Sequence, residues 1–335
     1  MPVLLTRSLL LALSLVCCRL TAISQPTNAK MIFIVDSFLV LHDPEPGDEL
    51  HQGDIAETKV IRNKDSLLKL GYAGYAGVTY IYTKAYRTRP DSLRNIPSTR
   101  QMSRVNSVWL LHGTAYTGPT IDYYSNGIKR METWMIRGQT EGPQVLYYPT
   151  GQLMQRQDYH LGTIDGIDKQ FYPDGSLLHQ GVFTNGKQNG VWEFYYPNGQ
   201  VKIHTAFSQG QRTDSVLRYY SNGRLHPNEP EPTTIHEASL AIRKDSLNAE
   251  AWYVRGTLQM GSSHFDKAIA DLDKALAIEP YLELAHVNRA LARVGKYKTP
   301  IPPEEKQKVC DDLQKAIFLG YRVKTMYGWL RDYCQ

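Results

Sequence analysis

Cysteine is scarce in this sequence. Four occur in 335 residues: an adjacent pair, Cys17 and Cys18, and a distant pair, Cys310 and Cys334. None has the C-x-x-C spacing of a zinc or redox motif. H-E-x-x-H, G-x-S-x-G and GK[ST] are also missing, which removes the usual sequence support for zinc-hydrolase, serine-hydrolase and P-loop chemistry. The charge excess is only +5, too mild to suggest a nucleic-acid partner. The ten histidines are scattered, and His160, His179 and His204 fall near strand positions as surface or sheet residues. "DGID", Asp165 to Asp168, lacks the spaced ligands and terminal Glu of a calcium loop. The expectation is a non-catalytic chain with no metal or organic cofactor.

Long apolar runs are missing too. The opening segment has a basic Arg7, an apolar core from Leu9 to Val16 and small residues at Ala22 and Ser24, the layout of a secretory signal over residues 1–24. That core is shorter than the ~20 residues a membrane-spanning helix needs. Cys17 or Cys18 leaves lipidation open as an alternative to cleavage after Ser24. In an exported chain, Cys310 and Cys334 form an even pair suited to one disulfide, with free thiols or a redox pair as the alternative.

What the sequence has in quantity is a repeat. "YYSNG", "YYPTG", "FYPDG", "YYPNG" and "YYSNG" place Gly127, Gly151, Gly175, Gly199 and Gly223 at a constant 24-residue spacing. A second glycine column runs through Gly138, Gly162, Gly186 and Gly210, and a third through Gly118, Gly142, Gly166 and Gly190. Between them, Val201, Ile203 and Phe207 alternate with Lys202, His204 and Ala206, the period of a half-buried strand. Each unit therefore reads as a β-hairpin, and stacked units as an antiparallel meander. Two aromatic columns follow: Tyr124, Tyr148, Tyr172, Tyr196 and Tyr220, and Met135, Tyr159, Phe183 and Phe207. The tyrosines either pack the sheet or offer rings on which sugars or peptides could stack.

"GKQNGVWEFYYPNGQVK" resembles the MORN-like variant repeats of bacterial proteins catalogued as antitoxin components. The resemblance covers residues 107–225 and implies a fold more than a function.

"GYAGYAGVTYIYTK", Gly71 to Lys84, sets three glycines before a strand. A phosphate-binding loop has the opposite order, strand first and helix after. Here "NKDSLLKL", with an Asn start and Leu67, Leu68 and Leu70, is the helix that the glycines close. From Met31 to Lys84 the pattern is similar to the later part of the plug domain of TonB-dependent outer-membrane receptors, including Asp36, Asp54, Ile55, Val60, Gly71, Gly74 and Gly77. Ser37 stands where that family usually has glycine. A 22-stranded barrel would need at least about 200 residues in strands of 9 to 11, and no such stretch follows. The implied element is a β-α-β plug-like module over 31–84 without its barrel, followed by a basic linker over 85–106.

"HPNEPEPTT", residues 226–234, is a Pro-rich linker. Beyond it, over 235–335, Trp252, Gly256, Ala268, Leu272, Ala275 and Pro280 fall at the offsets of a tetratricopeptide repeat, which the segment resembles, and "AHVNRALARV" opens a second unit. "KYKTPIPPEE" interrupts that unit, "HEASLAIRKDSLN" precedes the first as a half-unit, and "VKTMYGWLRDYC" reads as a closing helix. The groove positions Tyr253, Thr257, Val287 and Leu291 carry no charge, so a carboxylate clamp is not expected.

The fold class expected is α+β and multidomain: a small plug-like module, a MORN-like hairpin sheet and a helical array. The function expected is a protein–protein interaction scaffold of the bacterial cell envelope, periplasmic or associated with the outer membrane. The alternative is a carbohydrate or peptidoglycan binder using Tyr124, Tyr148, Tyr172, Tyr196 and Tyr220.

Overall fold

The computed structural model describes residues 30–40, 49–226, 230–297, 300–321, 329, 333 and 334. The signal-like segment with Cys17 and Cys18, and most of the expected closing helix, lie outside these. The chain divides between Gly166 and Ile167 into two units.

In the first unit, β1 (Met31–Val35), β2 (Phe38–Leu39), β3 (Ile55–Ile61) and β4 (Gly77–Thr83) form a sheet ordered β2-β1-β4-β3. β1 runs parallel to β4, and β3 antiparallel to it. Alternation puts Ile32 and Ile34 of β1 into a core with Leu67 and Val78. Leu67 belongs to α1 (Lys64–Lys69), which starts where the Asn63 side chain accepts a hydrogen bond from the Ser66 N–H at 3.0 Å. Of the three leucines in that run only Leu67 is buried; Leu68 and Leu70 face solvent. Asp36 and Ser37 both take positive φ. Asp36 holds this turn to the end of β4 by accepting from the Thr83 N–H at 2.7 Å and the Thr83 hydroxyl at 2.6 Å.

Residues 85–106 are folded and not an open linker. They form α2 (Lys84–Thr88), α3 (Asp91–Arg94), a 3-10 turn at Thr99–Gln101 and β5 (Ser103–Val105). β5 pairs with β6 (Val108–Leu111), and β6 with β7 (Thr114–Ala115). The first repeat strand, β8 (Gly118–Tyr123), supplies the reason. Its buried Asp122 accepts hydrogen bonds from the Ser98 hydroxyl, the Thr99 N–H and the Thr99 hydroxyl at 2.6, 2.8 and 2.6 Å, and Arg89 lies over Tyr123 at 3.4 Å.

The repeat strands of this unit are β8, β9 (Lys129–Ile136), β10 (Gln139–Tyr147) and β11 (Leu153–His160), paired antiparallel in sequence order. β12 (Thr163–Phe171) crosses the boundary. In the second unit, β13 (Leu177–Thr184), β14 (Lys187–Tyr195) and β15 (Val201–Ser208) continue the pattern. β16 (Gln211–Arg212) and β17 (Leu217–Arg218) both pair with β15.

The glycine columns have distinct jobs. Gly138, Gly162, Gly186 and Gly210 each follow a residue that also has positive φ, the two-residue hairpin turn that matches strand twist. Gly142 and Gly190 have positive φ beside shifts of strand register, so the third column marks β-bulges. On the inner face Trp192 lies flat against Gly181, where any Cβ would collide with the indole, and Phe183, Phe194, Phe207 and His179 surround it.

The helices of the second unit are α4 (Ile235–Lys244), α5 (Ala249–Gly261), α6 (Phe265–Ile278), α7 (Glu283–Tyr297) and α8 (Pro303–Phe318). Ala268, Leu272 and Ala275 are fully buried. Gly256 lets α6 approach α5 closely, since a Cβ there would press on Leu272 and the Ala268 carbonyl. Arg255 grips Asp271 with two hydrogen bonds of 2.7 Å. Between α7 and α8 the buried Asp312 binds His286 at 2.9 Å and Arg289 at 2.5 and 2.9 Å. Burial alone would raise the Asp312 carboxyl, but these partners hold it below the usual range. Among the described residues no helix is long and apolar enough to cross a membrane.

Candidate interaction surfaces

The tyrosine column is not an open face. Tyr124, Tyr148, Tyr172, Tyr196 and Tyr220 are all buried, so of the two alternatives the rings pack the sheet and do not stand open as stacking faces. The cause is the turn each one opens. In every copy the tyrosine N–H donates to the carbonyl four residues on, and the N–H of the turn glycine donates back to the tyrosine carbonyl, at 2.8 to 2.9 Å. This folds the ring in under the strand ends. The hydroxyl of Tyr124 then donates to the Tyr147 carbonyl at 2.7 Å, and those of Tyr172 and Tyr196 to the Tyr195 and Tyr219 carbonyls at 2.9 Å. Each reaches the residue just before the next tyrosine.

Within the second unit the same turns dock the helices. The Tyr172 ring stacks on Phe318 at the end of α8, with centroids 5.8 Å apart. The Tyr196 ring meets Tyr281, between α6 and α7, at 5.6 Å. The next turn, headed by Tyr220, reaches the junction between α4 and α5: Arg224 lies over the Tyr220 ring and bonds Asp245 at 3.0 Å and the Leu247 carbonyl at 2.8 Å. Successive turns up the sheet thus meet successive helical junctions down the array. The spacings are compatible, since a hairpin advances about 9.6 Å and packed helices lie about 8–10 Å apart.

Glu279 fixes the middle of this contact. It is 1 % exposed and accepts a hydrogen bond from the Ser221 N–H at 2.7 Å. The residue after the column tyrosine is Pro149, Pro173 and Pro197 in the inner copies and Ser125 and Ser221 in the outer two. Serine restores polar hydrogens that proline lacks, and both outer copies use them outside the repeat, Ser125 Oγ donating to the Glu49 carbonyl at 3.0 Å.

The helical groove also differs in part from expectation. Val287 lies in the core with Ala290, Val309 and Leu313, so it does not line a groove. Tyr253, Thr257, Asn288 and Leu291 are partly exposed, and Asn288 Nδ2 donates to Thr257 Oγ1 at 2.9 Å across α5 and α7. At the N-terminal end of α5, Glu250 is held up at about 7 by burial, then by Glu231 and Glu283. His179 is not a surface residue: its Nε2 is 3.1 Å from Asp168 Oδ2, and both side chains are largely buried. Cys310 and Cys334 are joined by a disulfide, with Cα atoms 5.1 Å apart. Among the described residues, no group of three or more His, Cys, Asp or Glu is placed to hold a metal ion.

Two segments, residues 140–160 and 188–207, match the family model described as MORN repeat variant. Each holds two strands joined by a tyrosine turn. Among curated proteins no sequence matches the chain. Solved structures similar to the chain include the first tetratricopeptide domain of Spaghetti (RPAP3) bound to an HSP90 peptide, at 19 % identity and a TM-score of 0.27, covering 30 % of this chain and 75 % of that one. The Arabidopsis OM64 tetratricopeptide domain is 20 % identical with a TM-score of 0.26, covering 30 % and 76 %. The second such domain of human RPAP3, in complex with an HSP70 peptide, is 18 % identical with a TM-score of 0.26, covering 30 % and 78 %.

Proposed function

We propose that this chain is a non-catalytic protein–protein interaction scaffold of a bacterial cell envelope. One observation carries the reading: the helical array is held to the sheet by its junctions, at Phe318, Tyr281 and Asp245, while the α5/α7 face keeps Tyr253, Thr257, Asn288 and Leu291 partly exposed. Repeat folds act through extended faces of this kind. The four side chains are uncharged, so the partner segment is an apolar or neutral peptide and not an acidic tail. Residues 1–24 support export, the Cys310–Cys334 disulfide suits an oxidising compartment, and the plug-like pattern of residues 31–84 supports a place at the outer membrane.

The test is a photocrosslinking residue at Asn288 in the native host, with one at Val60 as control. The proposal expects one envelope protein to crosslink from Asn288 alone, and its purified form to lose binding to the Asn288→Arg chain. Binding that ignores Asn288→Arg would sink it.

A further inference from the structure

The sheet's outer face carries a second feature that the repeat does not predict. A cleft of about 260 Å³ is lined by Gln200, Val201, His204, Tyr219 and Gly223. A hydrogen-bonded line from two neighbouring strands leads to it. Gln180 of β13 donates to the Tyr195 hydroxyl at 2.9 Å and to Glu193 at 3.2 Å. Tyr195 donates to Glu193 Oε2 at 2.5 Å, and Glu193 Oε1 lies 3.4 Å from His204 Nδ1. Gln180, Glu193 and His204 are cross-strand neighbours on one face.

Among the described residues this constellation occurs once. One unit earlier the places of Glu193 and His204 are taken by Lys169 and Gln180, and two units earlier by Val145 and Arg156. The Tyr195 hydroxyl keeps Glu193 below the usual carboxylate range, so Glu193 is an acceptor and His204 Nδ1 is the donor to it. His204 Nε2 takes no part in that contact and is left to the cleft. The Gln200 amide and the Tyr219 hydroxyl have no side-chain hydrogen bond among the described residues. The cleft therefore offers a ring nitrogen, an amide, a phenol, a tyrosine face and a valine, with no Asp, Glu, Lys or Arg in its lining.

We propose that this cleft binds a neutral sugar residue. Vicinal hydroxyls, which both donate and accept, satisfy a ring nitrogen and an amide together, while the apolar face of a pyranose covers an aromatic ring. An anion would meet the nearby Glu193 carboxylate, and a cation would find no carboxylate in the lining. The site is separate from the α5/α7 groove and stands whether or not a protein partner binds there.

The test is saturation-transfer NMR on the full chain with glucose, N-acetylglucosamine and a soluble chitin trisaccharide, with inorganic phosphate and lysine as charged controls. The inference expects transfer from the protein to ring protons of at least one sugar, and an apparent Kd about tenfold weaker in His204→Ala. Gln200→Ala, at an exposed turn position, should weaken binding with an unchanged melting temperature. Binding of the trisaccharide alone would mark the source as a polymer, and binding of a single sugar as a free saccharide. No transfer to any sugar, or transfer untouched by both substitutions, would overturn the inference.

Discussion

The ring of Tyr172 lies nearly parallel to that of Phe318, at 15° and 5.8 Å, joining the end of a repeat strand to the end of the last described helix of the array. Stacked aromatic pairs are worth about 0.5–1.5 kcal/mol beyond their burial. A double-mutant cycle with Tyr172→Leu and Phe318→Leu, read by urea denaturation of the full chain, should return a coupling in that range. Additive losses would mean that the rings touch without stabilising each other.

Ser221→Pro should cost about 1–3 kcal/mol, because the substitution removes the 2.7 Å backbone donor to Oε2 of the buried Glu279 and leaves only the longer Tyr281 N–H contact to Oε1. Pro197→Ser, at the corresponding place of an inner repeat, should shift stability by less than about 0.5 kcal/mol. Denaturant midpoints of the two variants check the asymmetry, and equal effects would deny Glu279 its role.

Glu250 gives a pH dependence. Its folded carboxyl titrates near 7, against an ordinary 4.5, through burial and then Glu231 and Glu283. Folding thus favours the protonated form, so this contribution is complete below about pH 4.5 and is lost as pH rises through about 7. Glu250→Gln should therefore melt progressively higher than the parent as pH increases over that window, with the gap constant above it. Melting curves at a series of pH values are the check, and a gap that shrinks with rising pH would reverse the assignment.

Reducing the Cys310–Cys334 bridge opens a loop of 24 residues, worth about 3.5 kcal/mol in the chain-entropy treatment. Cys310→Ser with Cys334→Ser should lower the melting temperature, and added reductant should then have no further effect. Hydrogen exchange should place the loss first in α8.

Much of this architecture is legible in the residues. The 24-residue glycine columns announce the hairpins, because a positive φ at a fixed interval is hard to meet with any other residue. Gly256, Ala268, Leu272 and Ala275 announce the helical packing for a similar steric reason. The site was less legible. A tyrosine one residue past a strand's alternation has no face assigned by period, and only the turn's hydrogen bonds decide that it folds inward. Residues 85–106 look like a linker because they lack periodicity, yet Asp122, distant in sequence, orders them. Val287 looks like a groove residue by offset but is captured by Val309 and Leu313 of the irregular last repeat. Ser125 and Ser221 replace proline only in the outer copies, which marks the turns that donate a hydrogen bond outside the repeat.

The central claim is that the tyrosine turns hold the helical array at its junctions. Hydrogen exchange by mass spectrometry on the full chain, comparing the parent with Tyr196→Ala, tests it most directly. The account predicts lost protection both in the β14–β15 turn and at residues 279–283, where the Tyr281 ring receives that of Tyr196. Deprotection confined to the β14–β15 turn, with 279–283 unchanged, would contradict it.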